Sequence, residues 1–255
     1  MILRRFYAPP GAFAADGAGV VLSEEESRHL RDVLRLRAGD EAHVFDGEGR
    51  EFACVVVEPG GRKGAAQLEV RGPVEPPSPE SPLELTLAVA LLKGEKFDLV
   101  VQKACELGAA RVVPVETKRA DVRMRDPRDA QRRVERWRRL ALEAAKQSGR
   151  ARVPAVEEPH AFARFVETAP LAHEVRVLFA EGGGAPLDSL LTTAGERSTV
   201  VNALVGPEGG WEEEEIDLAR AHGWHVVTLG GRTLRAETAA ITVCALLQNL
   251  FGDLK

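Results

Sequence analysis

The sequence lacks the features typical of membrane and secreted proteins. No window approaches the roughly 20 consecutive apolar residues that a helix needs to cross a bilayer. The first six residues place their charges after the apolar ones, and no apolar run follows, which is not typical of a signal peptide. Cys54, Cys105 and Cys244 are far apart and odd in number, which argues against a disulfide framework and a four-cysteine zinc site. We therefore expect a cytoplasmic protein with free thiols, no bound metal and no membrane contact.

Several catalytic signatures are also missing. There is no G-x-x-x-x-G-K-[ST] phosphate loop and no G-x-G-x-x-G between a strand and a helix, so the sequence lacks the common binding motifs for ATP and NAD. No G-x-S-x-G segment marks a hydrolase serine. His222 and His225 form an isolated pair without a nearby third ligand. We interpret that pair as a helix end and a strand start.

The composition is that of a globular protein whose charge is unevenly distributed. Of the 255 residues, 44% are hydrophobic and 29% are charged, enough apolar material for the core of one large domain or two ordinary ones. The net charge is −5, yet residues 118–152 hold 13 Lys/Arg against 5 Asp/Glu, a local balance of +8. Such a patch can attract RNA phosphates, although a solvated helix face explains the same pattern.

The chain divides at a proline-rich stretch. Residues 73–82 contain five prolines, which lack the backbone donor and cannot form a helix interior or a central strand. We predict a domain at 1–72, a linker at 73–82 and a second domain at 83–255. The first part has short β segments and a helix capped by Ser23, as in a small barrel. The second part alternates strands and helices, which predicts a mostly parallel sheet covered on both sides.

The last three predicted strands are each followed by a glycine-rich loop. The loops contain Gly182-Gly183-Gly184, Gly206-Pro207-Glu208-Gly209-Gly210, and Gly230-Gly231-Arg232. Ligands of open α/β sheets bind beyond the carboxyl ends of the strands, where glycines let the backbone approach closely. Any one loop could simply turn the chain. Three together favour a ligand pocket with backbone donors and acceptors, suited to an adenine and a methionine carboxylate.

Two of these loops carry a family resemblance. Gly206-Pro207-Glu208-Gly209-Gly210 and Leu229-Gly230-x-Arg232-x-Leu234-Arg235-x-Glu237-Thr238-Ala239 resemble the signature of the bacterial 16S ribosomal RNA uridine-N3 methyltransferases, of the SPOUT superfamily. Lys93-Gly94-Glu95-Lys96-Phe97, Glu143-Ala144-x-x-Gln147-Ser148-x-Arg150 and the opening Arg4-Arg5-Phe6 also fit. The departures are Ala236 and Cys105, each where the family often has Thr, and Trp211-Glu212 for Phe-Ser/Thr.

The resemblance implies an α/β fold with a SPOUT-type trefoil-knotted parallel sheet covered by helices, an N-terminal PUA-like β-barrel that binds RNA, and a homodimer. It also implies S-adenosylmethionine as cofactor and the 16S ribosomal RNA of the small subunit as partner. The implied cofactor contacts, all in or beside the three loops, are Phe179, Ala180, Glu181, Gly182, Leu204, Val205, Gly206, Pro207, Glu208, Gly209, Gly210, Leu229, Gly230, Arg232, Leu234, Ala236, Thr238 and Ala239.

The chemistry of uridine N3 suggests roles for the charged residues. N3 becomes a good nucleophile once its proton leaves, so the site needs a proton acceptor or a cation beside the uridinate. Arg235 is the candidate cation, with phosphate binding as its rival role. Glu237 or Glu208 is the candidate acceptor, although Glu237 could equally stabilise a helix N-terminus. The candidate RNA contacts are Arg4, Arg5, Lys93, Lys96, Lys103, Gln147, Ser148 and Arg150.

Two other functions remain open at this point. One is a SPOUT methyltransferase with another RNA target, such as a ribose hydroxyl or a tRNA guanine. The other is a non-catalytic RNA-binding or ribosome-assembly protein with a vestigial pocket. Intact glycines in all three loops, together with Arg235 and Glu237, disfavour the second alternative.

Overall fold

The computed structural model describes residues 4–61, 64–194 and 199–255. The chain forms two compact units, one made of Met1–Glu80 with Ala145–Val153 and the other of Ser81–Ala144 with Pro154–Lys255. These limits differ from the predicted ones in two ways. The proline-rich stretch through Glu80 belongs to the first unit, and so does a nine-residue segment from the middle of the chain.

The first unit is built on a five-stranded sheet. Its strand order is β1-β3-β4-β5-β2, with helix α1 (Glu24–Arg28) continuing into a π-helical turn at His29–Val33. The strands are β1 (Arg5–Tyr7), β2 (Gly19–Val21), β3 (Glu41–Phe45), β4 (Glu51–Glu58) and β5 (Gln67–Val74). Pro73 lies within β5, opposite Phe52 of β4. β2 pairs only with residues 67–69 of β5, so at Pro73 the strand has no partner on that side. A proline is tolerated at such an edge position, where its missing N–H costs no hydrogen bond to a second neighbouring strand.

The helix cap predicted at Ser23 is half confirmed. The Ser23 hydroxyl accepts a hydrogen bond from the backbone N–H of Glu26 at 3.2 Å. The Glu26 side chain was expected to reach back to the cap. Its Oε1 instead accepts from Lys146 Nζ at 2.7 Å, a residue 120 positions away. The long-range ion pair has replaced the local bond.

The second unit contains an eight-stranded sheet whose named strand pairs are all parallel. The strand order is β11-β13-β10-β12-β6-β7-β8, and β9 also pairs with β7. The strands are β6 (Glu84–Ala90), β7 (Arg111–Glu116), β8 (Ala155–Val156), β9 (His160–Ala161), β10 (Glu174–Phe179), β11 (Ala185–Pro186), β12 (Val200–Val205) and β13 (His225–Thr228). The helices are α2 (Lys96–Glu106), α3 (Pro127–Ser148), α4 (Phe162–Val166), α5 (Ser189–Ala194), α6 (Glu213–Ala221) and α7 (Ala236–Phe251).

Apolar packing on both faces explains the continuous hydrophobic run of β6. On one face Ala88 and Leu204 join a core with Trp211 and Trp224 of the α6 region. On the other face α7 contacts β6 and β12 and also packs against α2. A strand covered on both sides needs apolar residues at successive positions, which is the pattern the sequence shows.

Within the described ranges, none of the helices has the length and apolarity needed to cross a membrane. All three cysteines are buried free thiols. Burial raises the pKa of Cys54 and of Cys244 to about 12, which keeps both thiols protonated at neutral pH. Over the same residues, no cluster of His, Cys, Asp and Glu is arranged to bind a metal ion.

Candidate active site

The carboxyl ends of three adjacent strands meet at one edge of the parallel sheet. β10 lies between β12 and β13, and its last residue, Phe179, pairs with Val205 on one side and Val227 on the other. Because the strands are parallel, the loops that follow them leave at the same edge. They enclose a cleft of about 390 Å³. The structure therefore brings the three glycine-rich loops together, as the sequence predicted.

Most of the predicted cofactor contacts line this cleft. They are Phe179, Ala180, Glu181, Val205, Gly206, Pro207, Glu208, Gly210, Leu229, Gly230, Arg232, Leu234, Ala236 and Ala239. Four others do not. Leu204 is fully buried in the hydrophobic core, Gly209 packs against Arg119, and Gly182 and Thr238 are exposed outside the lining. Residues that line the cleft without having been predicted as cofactor contacts are Trp211, Thr228, Gly231, Thr233 and Arg235.

Trp211 fixes the second loop against the first. Its indole Nε1–H donates to the backbone oxygen of Phe179 at 2.9 Å, and the side chain is buried. A Cβ added at Gly206 would lie only 3.0 Å from the indole ring, so the position of the ring leaves room for no larger residue than glycine. In the sequence, Trp211 stands out only as a departure from the family pattern. A large aromatic residue directly after the glycines was the signal that could have identified this contact.

Opposite charges cluster at the second and third loops. Lys96, the first residue of α2, places its Nζ 2.8 Å from Glu208 Oε1 and 3.7 Å from Glu237 Oε2. Burial raises the pKa of Glu208, but the hydrogen bonds from Lys96 and from the backbone outweigh it, and the net pKa lies below the usual range. The hydrogen bond to Glu208 likewise raises the pKa of Lys96. Both groups are therefore charged at neutral pH.

Arg235 and Glu237 lie on either side of the start of α7. Arg235 is the N-cap residue of this helix, lines the cleft and is exposed. In the part of the chain that the structure describes, no carboxylate pairs with its guanidinium. Glu237 lies in the first turn, where a carboxylate complements the helix dipole. Its side chain is only 12% exposed and does not line the cleft.

A further clamp holds the second loop from outside, and sequence reasoning missed it. Arg119 Nη1 donates to the Gly209 oxygen at 3.2 Å, and its Nε donates to Glu212 Oε1 at 2.8 Å. Glu215 is buried, accepting from the backbone N–H of Lys118 at 2.9 Å and of Glu212 at 3.0 Å. These contacts join the segment after β7 to the start of α6. Arg119 lies 90 and 93 residues from Gly209 and Glu212, and Lys118 lies 97 residues from Glu215, so no local pattern indicated these contacts.

Two of the predicted RNA contacts are buried structural residues. Arg5 forms an ion pair with Glu51 at 2.9 Å, with the two side chains 6% and 0% exposed. It also donates to the backbone oxygen of Arg150 at 2.8 Å. The Arg150 side chain, 5% exposed, pairs with Glu80 at 2.7 Å. This placement corrects the expectation for Arg5 and Arg150, because an inaccessible guanidinium that already has a carboxylate partner is not available to a phosphate.

The other predicted RNA contacts are at least partly accessible. Lys93 pairs with Asp121 at 2.7 Å and is 62% exposed, and Arg4 lies 3.5 Å from Asp40 and is 46% exposed. Lys103 bonds Glu106 within α2, and Gln147 is exposed near the end of α3. Ser148 is half-buried, and its backbone oxygen accepts from Ser78. Exposed ion pairs in water are weak, so a phosphate can displace the carboxylate partners of these lysines.

Comparison with known proteins shows which family the chain belongs to. The RNA methyltransferase domain model matches residues 79–248, and the RNA methyltransferase PUA domain model matches residues 22–69. The chain is 34% identical over 235 residues to a ribosomal RNA small subunit methyltransferase E from Synechocystis, covering 91% of this chain and 74% of that protein. The Bacillus subtilis protein of the same name is 29% identical, covering 86% of each chain.

Solved structures share the whole architecture. A Legionella pneumophila methyltransferase in complex with its cofactor SAM matches with 31% identity and a TM-score of 0.85 over 100% of both chains. A Neisseria gonorrhoeae ribosomal RNA small subunit methyltransferase E bound to S-adenosyl methionine matches with 30% identity and a TM-score of 0.84, covering 99% of this chain and 100% of that one. With the parallel sheet, these matches confirm the predicted fold class. The chain belongs to the SPOUT RNA methyltransferase family that includes the ribosomal RNA small subunit methyltransferase E proteins.

Proposed function

We propose that this protein methylates N3 of a uridine in 16S ribosomal RNA of the small subunit, in the cytoplasm, using S-adenosylmethionine. The observation that carries the proposal is the cleft at the carboxyl edge of the sheet, which is lined by residues of the three glycine-rich loops, among them Glu208, and by Arg235. Relatives named as small-subunit ribosomal RNA methyltransferases support the substrate class. Two relatives with bound cofactor support the choice of methyl donor.

The cleft suits S-adenosylmethionine in size and chemistry. Ligand sites usually enclose about 300–1,000 Å³, and this cleft of about 390 Å³ lies within that range. Phe179, Val205 and Leu234 provide apolar walls for the adenine and the methionine side chain. The backbone at Gly230 is open to close approach, and the Glu181 carboxylate can accept from the ribose hydroxyls or the ammonium group.

The protein must supply orientation and charge, because the sulfonium of S-adenosylmethionine is already an activated methyl donor. The remaining barrier is the proton on uridine N3. We assign Arg235 to the uracil oxygens, where its exposed guanidinium stabilises the negative charge that develops as that proton leaves. The N-terminus of α7 directs its dipole toward the same region, which adds to this stabilisation.

Glu208 is better placed than Glu237 to accept the N3 proton. Glu208 lines the cleft and its side chain is 27% exposed, whereas Glu237 is 12% exposed and does not line the cleft. A proton acceptor must come within hydrogen-bond reach of the group it deprotonates. We assign Glu208 to proton transfer and Glu237 to the helix N-terminus and to the charge balance around Lys96.

The target base must reach this cleft unpaired or flipped out, since N3 lies on the Watson–Crick edge. Lys93, Lys103, Gln147 and Arg4 remain our candidates for RNA contacts, with a smaller contribution from Ser148. Arg5 and Arg150 are left out because of their burial.

We also propose a homodimer, because α7 is apolar on more than one side. Val243 and Leu247 are buried, while Ile241, Leu246 and Leu250 remain only partly covered in one chain. A helix that is hydrophobic all round is usually buried, and a second copy would cover the remaining side.

The test is single-turnover transfer of labelled methyl from S-adenosylmethionine to unmodified small ribosomal subunits, followed by nucleoside analysis. Label in 3-methyluridine is expected with the wild-type protein. Glu208→Gln should reduce the rate by about 10²–10⁴-fold, the usual contribution of a general base, without abolishing cofactor binding. Label in a 2′-O-methyl nucleoside or in methylguanosine would point to another target. Cofactor binding without any label would favour the non-catalytic alternative.

A further inference from the structure

Lys96 occupies a position that its sequence context did not reveal. Like Lys93 and Lys103, it is a candidate RNA contact in the sequence, because such side chains position phosphates. In the structure Lys93 pairs with the exposed Asp121, and Lys103 pairs with Glu106 of its own helix. Lys96 instead contacts two carboxylates, one in the second glycine-rich loop at the cleft and one in the first turn of α7.

Those two carboxylates are Glu208 and Glu237, and only Lys96 contacts both of them among the described residues. Its Nζ is 2.8 Å from Glu208 Oε1, a hydrogen-bonded ion pair, and 3.7 Å from Glu237 Oε2, a charge contact without a hydrogen bond. Glu237 Oε2 is buried and has no hydrogen-bond partner in the described part of the chain. Without the Lys96 charge, Glu208 would lose its hydrogen-bonded cation, which would favour protonation of its carboxylate.

We infer that Lys96 is a positioning residue for the methyl transfer, holding the Glu208 carboxylate ionised and aimed into the cleft while balancing the charge of Glu237. This inference rests on the proposed function, since it takes Glu208 as the acceptor of the uridine proton. Lys96 does not touch the substrate in this role. Its effect reaches the reaction through Glu208.

The surrounding charges are consistent with this role. The groups that act on Glu208 are Lys96, which favours the ionised form, and Asp121, which opposes it. Lys93 pairs with Asp121 and so partly offsets the repulsion between the Asp121 and Glu208 carboxylates. Glu237 and Arg235 act on Lys96 with opposite signs, the carboxylate favouring its charged form and the guanidinium opposing it. Lys96 is the one cation among these that is hydrogen-bonded to Glu208.

The sign of the pH effect follows from the lowered pKa of Glu208. Removing the Lys96 charge removes a cause that lowers this pKa, so Glu208 becomes protonated at a higher pH than before. A protonated Glu208 cannot accept the N3 proton. The acid limb of the rate profile should therefore move to higher pH in a variant that lacks the charge, and a variant that keeps the charge should restore it.

The experiment compares Lys96→Met, Lys96→Arg and Lys93→Met with the wild-type protein. Methionine keeps an unbranched side chain without the charge, and Lys96 is partly exposed, so the fold should tolerate it. Single-turnover methyl transfer is measured across pH with saturating cofactor and RNA, and RNA affinity is measured separately as a function of salt. Carbon-13 labelling of the glutamates follows the titration of the Glu208 carboxyl directly, with Glu208→Gln to assign its signal.

For Lys96→Met we expect a rate reduced by roughly 10-fold or more, a fraction of the 10²–10⁴-fold that a general base provides. The acid limb and the Glu208 titration should both move to higher pH, and Lys96→Arg should restore both. RNA affinity and its salt dependence should stay unchanged. Lys93→Met should differ, with weaker RNA binding and a salt slope reduced by about one, because a phosphate contact is lost. It should move the Glu208 titration to higher pH less than Lys96→Met does, because Lys93 acts on Glu208 only through its pairing with Asp121.

Three results would overturn the inference. One is a Lys96→Met variant that behaves like Lys93→Met, which would make Lys96 an RNA contact. Another is an unchanged Glu208 titration, which needs no methyl transfer to be measured and therefore tests Lys96 even if the proposed reaction is wrong. The third is a lowered rate that Lys96→Arg does not restore and that is accompanied by no pH shift, which would indicate a purely structural role. Absence of 3-methyluridine label with the wild-type protein would refute the proposed function instead.

Discussion

Substituting Arg5 by methionine should destabilise the first unit rather than weaken RNA binding. The Arg5 guanidinium bonds Glu51 at 2.9 Å, donates to the backbone oxygens of Ala145 at 3.3 Å and Arg150 at 2.8 Å, and lies 4.0 Å from the centre of the Phe45 ring. Glu51 is completely buried, so the substitution leaves its carboxylate without its guanidinium partner. Breaking a buried ion pair by removing one partner costs about 3–5 kcal/mol. We expect a loss of that size in the free energy of unfolding.

The adjacent residue provides a matched control. Arg4 is 46% exposed and lies 3.5 Å from Asp40, which is also exposed. Exposed ion pairs contribute about 0–1 kcal/mol, so Arg4→Met should change stability little. The double variant Arg5→Met, Glu51→Leu should be more stable than Arg5→Met alone, because it buries no unpaired charge.

The assay must report on the first unit. The chain has three tryptophans, and Trp137, Trp211 and Trp224 all lie in the second unit, so their fluorescence reports on the wrong part. Hydrogen–deuterium exchange of peptides from β3 and β4, followed through a urea titration, measures the unit that holds Arg5. An Arg5→Met protein of normal stability, with weaker RNA binding and a shallower salt dependence, would refute this reasoning and restore Arg5 as a phosphate contact.

Three further predictions follow from the site and the core. Arg235→Ala should lower methyl transfer by about 10²–10³-fold, as expected for loss of a group that stabilises developing negative charge, while calorimetry shows nearly unchanged cofactor binding; an unaltered rate would contradict its role. Gly184→Ala should weaken cofactor binding in the same titration, because its Cβ would lie 2.6 Å from the Val227 carbonyl carbon and the first loop would have to move; equal affinity would show that this loop tolerates displacement. The buried thiols of Cys54 and Cys244 should react with a thiol reagent only as fast as the protein unfolds. Burial raises the pKa of both thiols from 9.0 to about 12, so their contribution to the free energy of unfolding should be lost as pH rises from about 9 to about 12. The measurement is the urea midpoint across this pH range. A midpoint that falls as much in a Cys244→Ala variant as in the wild-type protein would contradict the assignment for Cys244.

Much of the fold could be predicted because it depends on local patterns. The continuous apolar run from Leu85 to Leu91 is typical of a strand buried on both faces, and β6 forms there. Asp126-Pro127 is typical of a helix start, and α3 begins at Pro127, with Asp126 accepting from the backbone N–H of Asp129 at 2.9 Å. The convergence of three glycine-rich loops was also predictable. Parallel strands place their carboxyl ends at one edge of a sheet, so loops that follow such strands meet wherever the strands are neighbours.

The roles of individual charged residues could not be predicted in the same way. Arg5, Arg150 and Lys96 look alike in sequence, because each is a cation in a motif that resembles the family pattern. In the structure the first two are buried against carboxylates 46 and 70 residues away, and the third is paired with a carboxylate 112 residues away. Burial and partner choice depend on which distant segments come together, and no periodicity or spacing encodes that.

The sequence by itself indicated the class of the protein, the alternation of strands and helices in its second part, and the three loops that form its cleft. The tertiary structure decided which cations are exposed and which are buried, which carboxylate lines the cleft, and where the first unit ends. The physical reason is the range of the interactions. Hydrogen-bond caps, turn glycines and apolar periodicity act over a few residues. An ion pair such as Lys96–Glu208 forms only after strand order has brought the start of α2 and a remote loop together, with the charged atoms 2.8 Å apart.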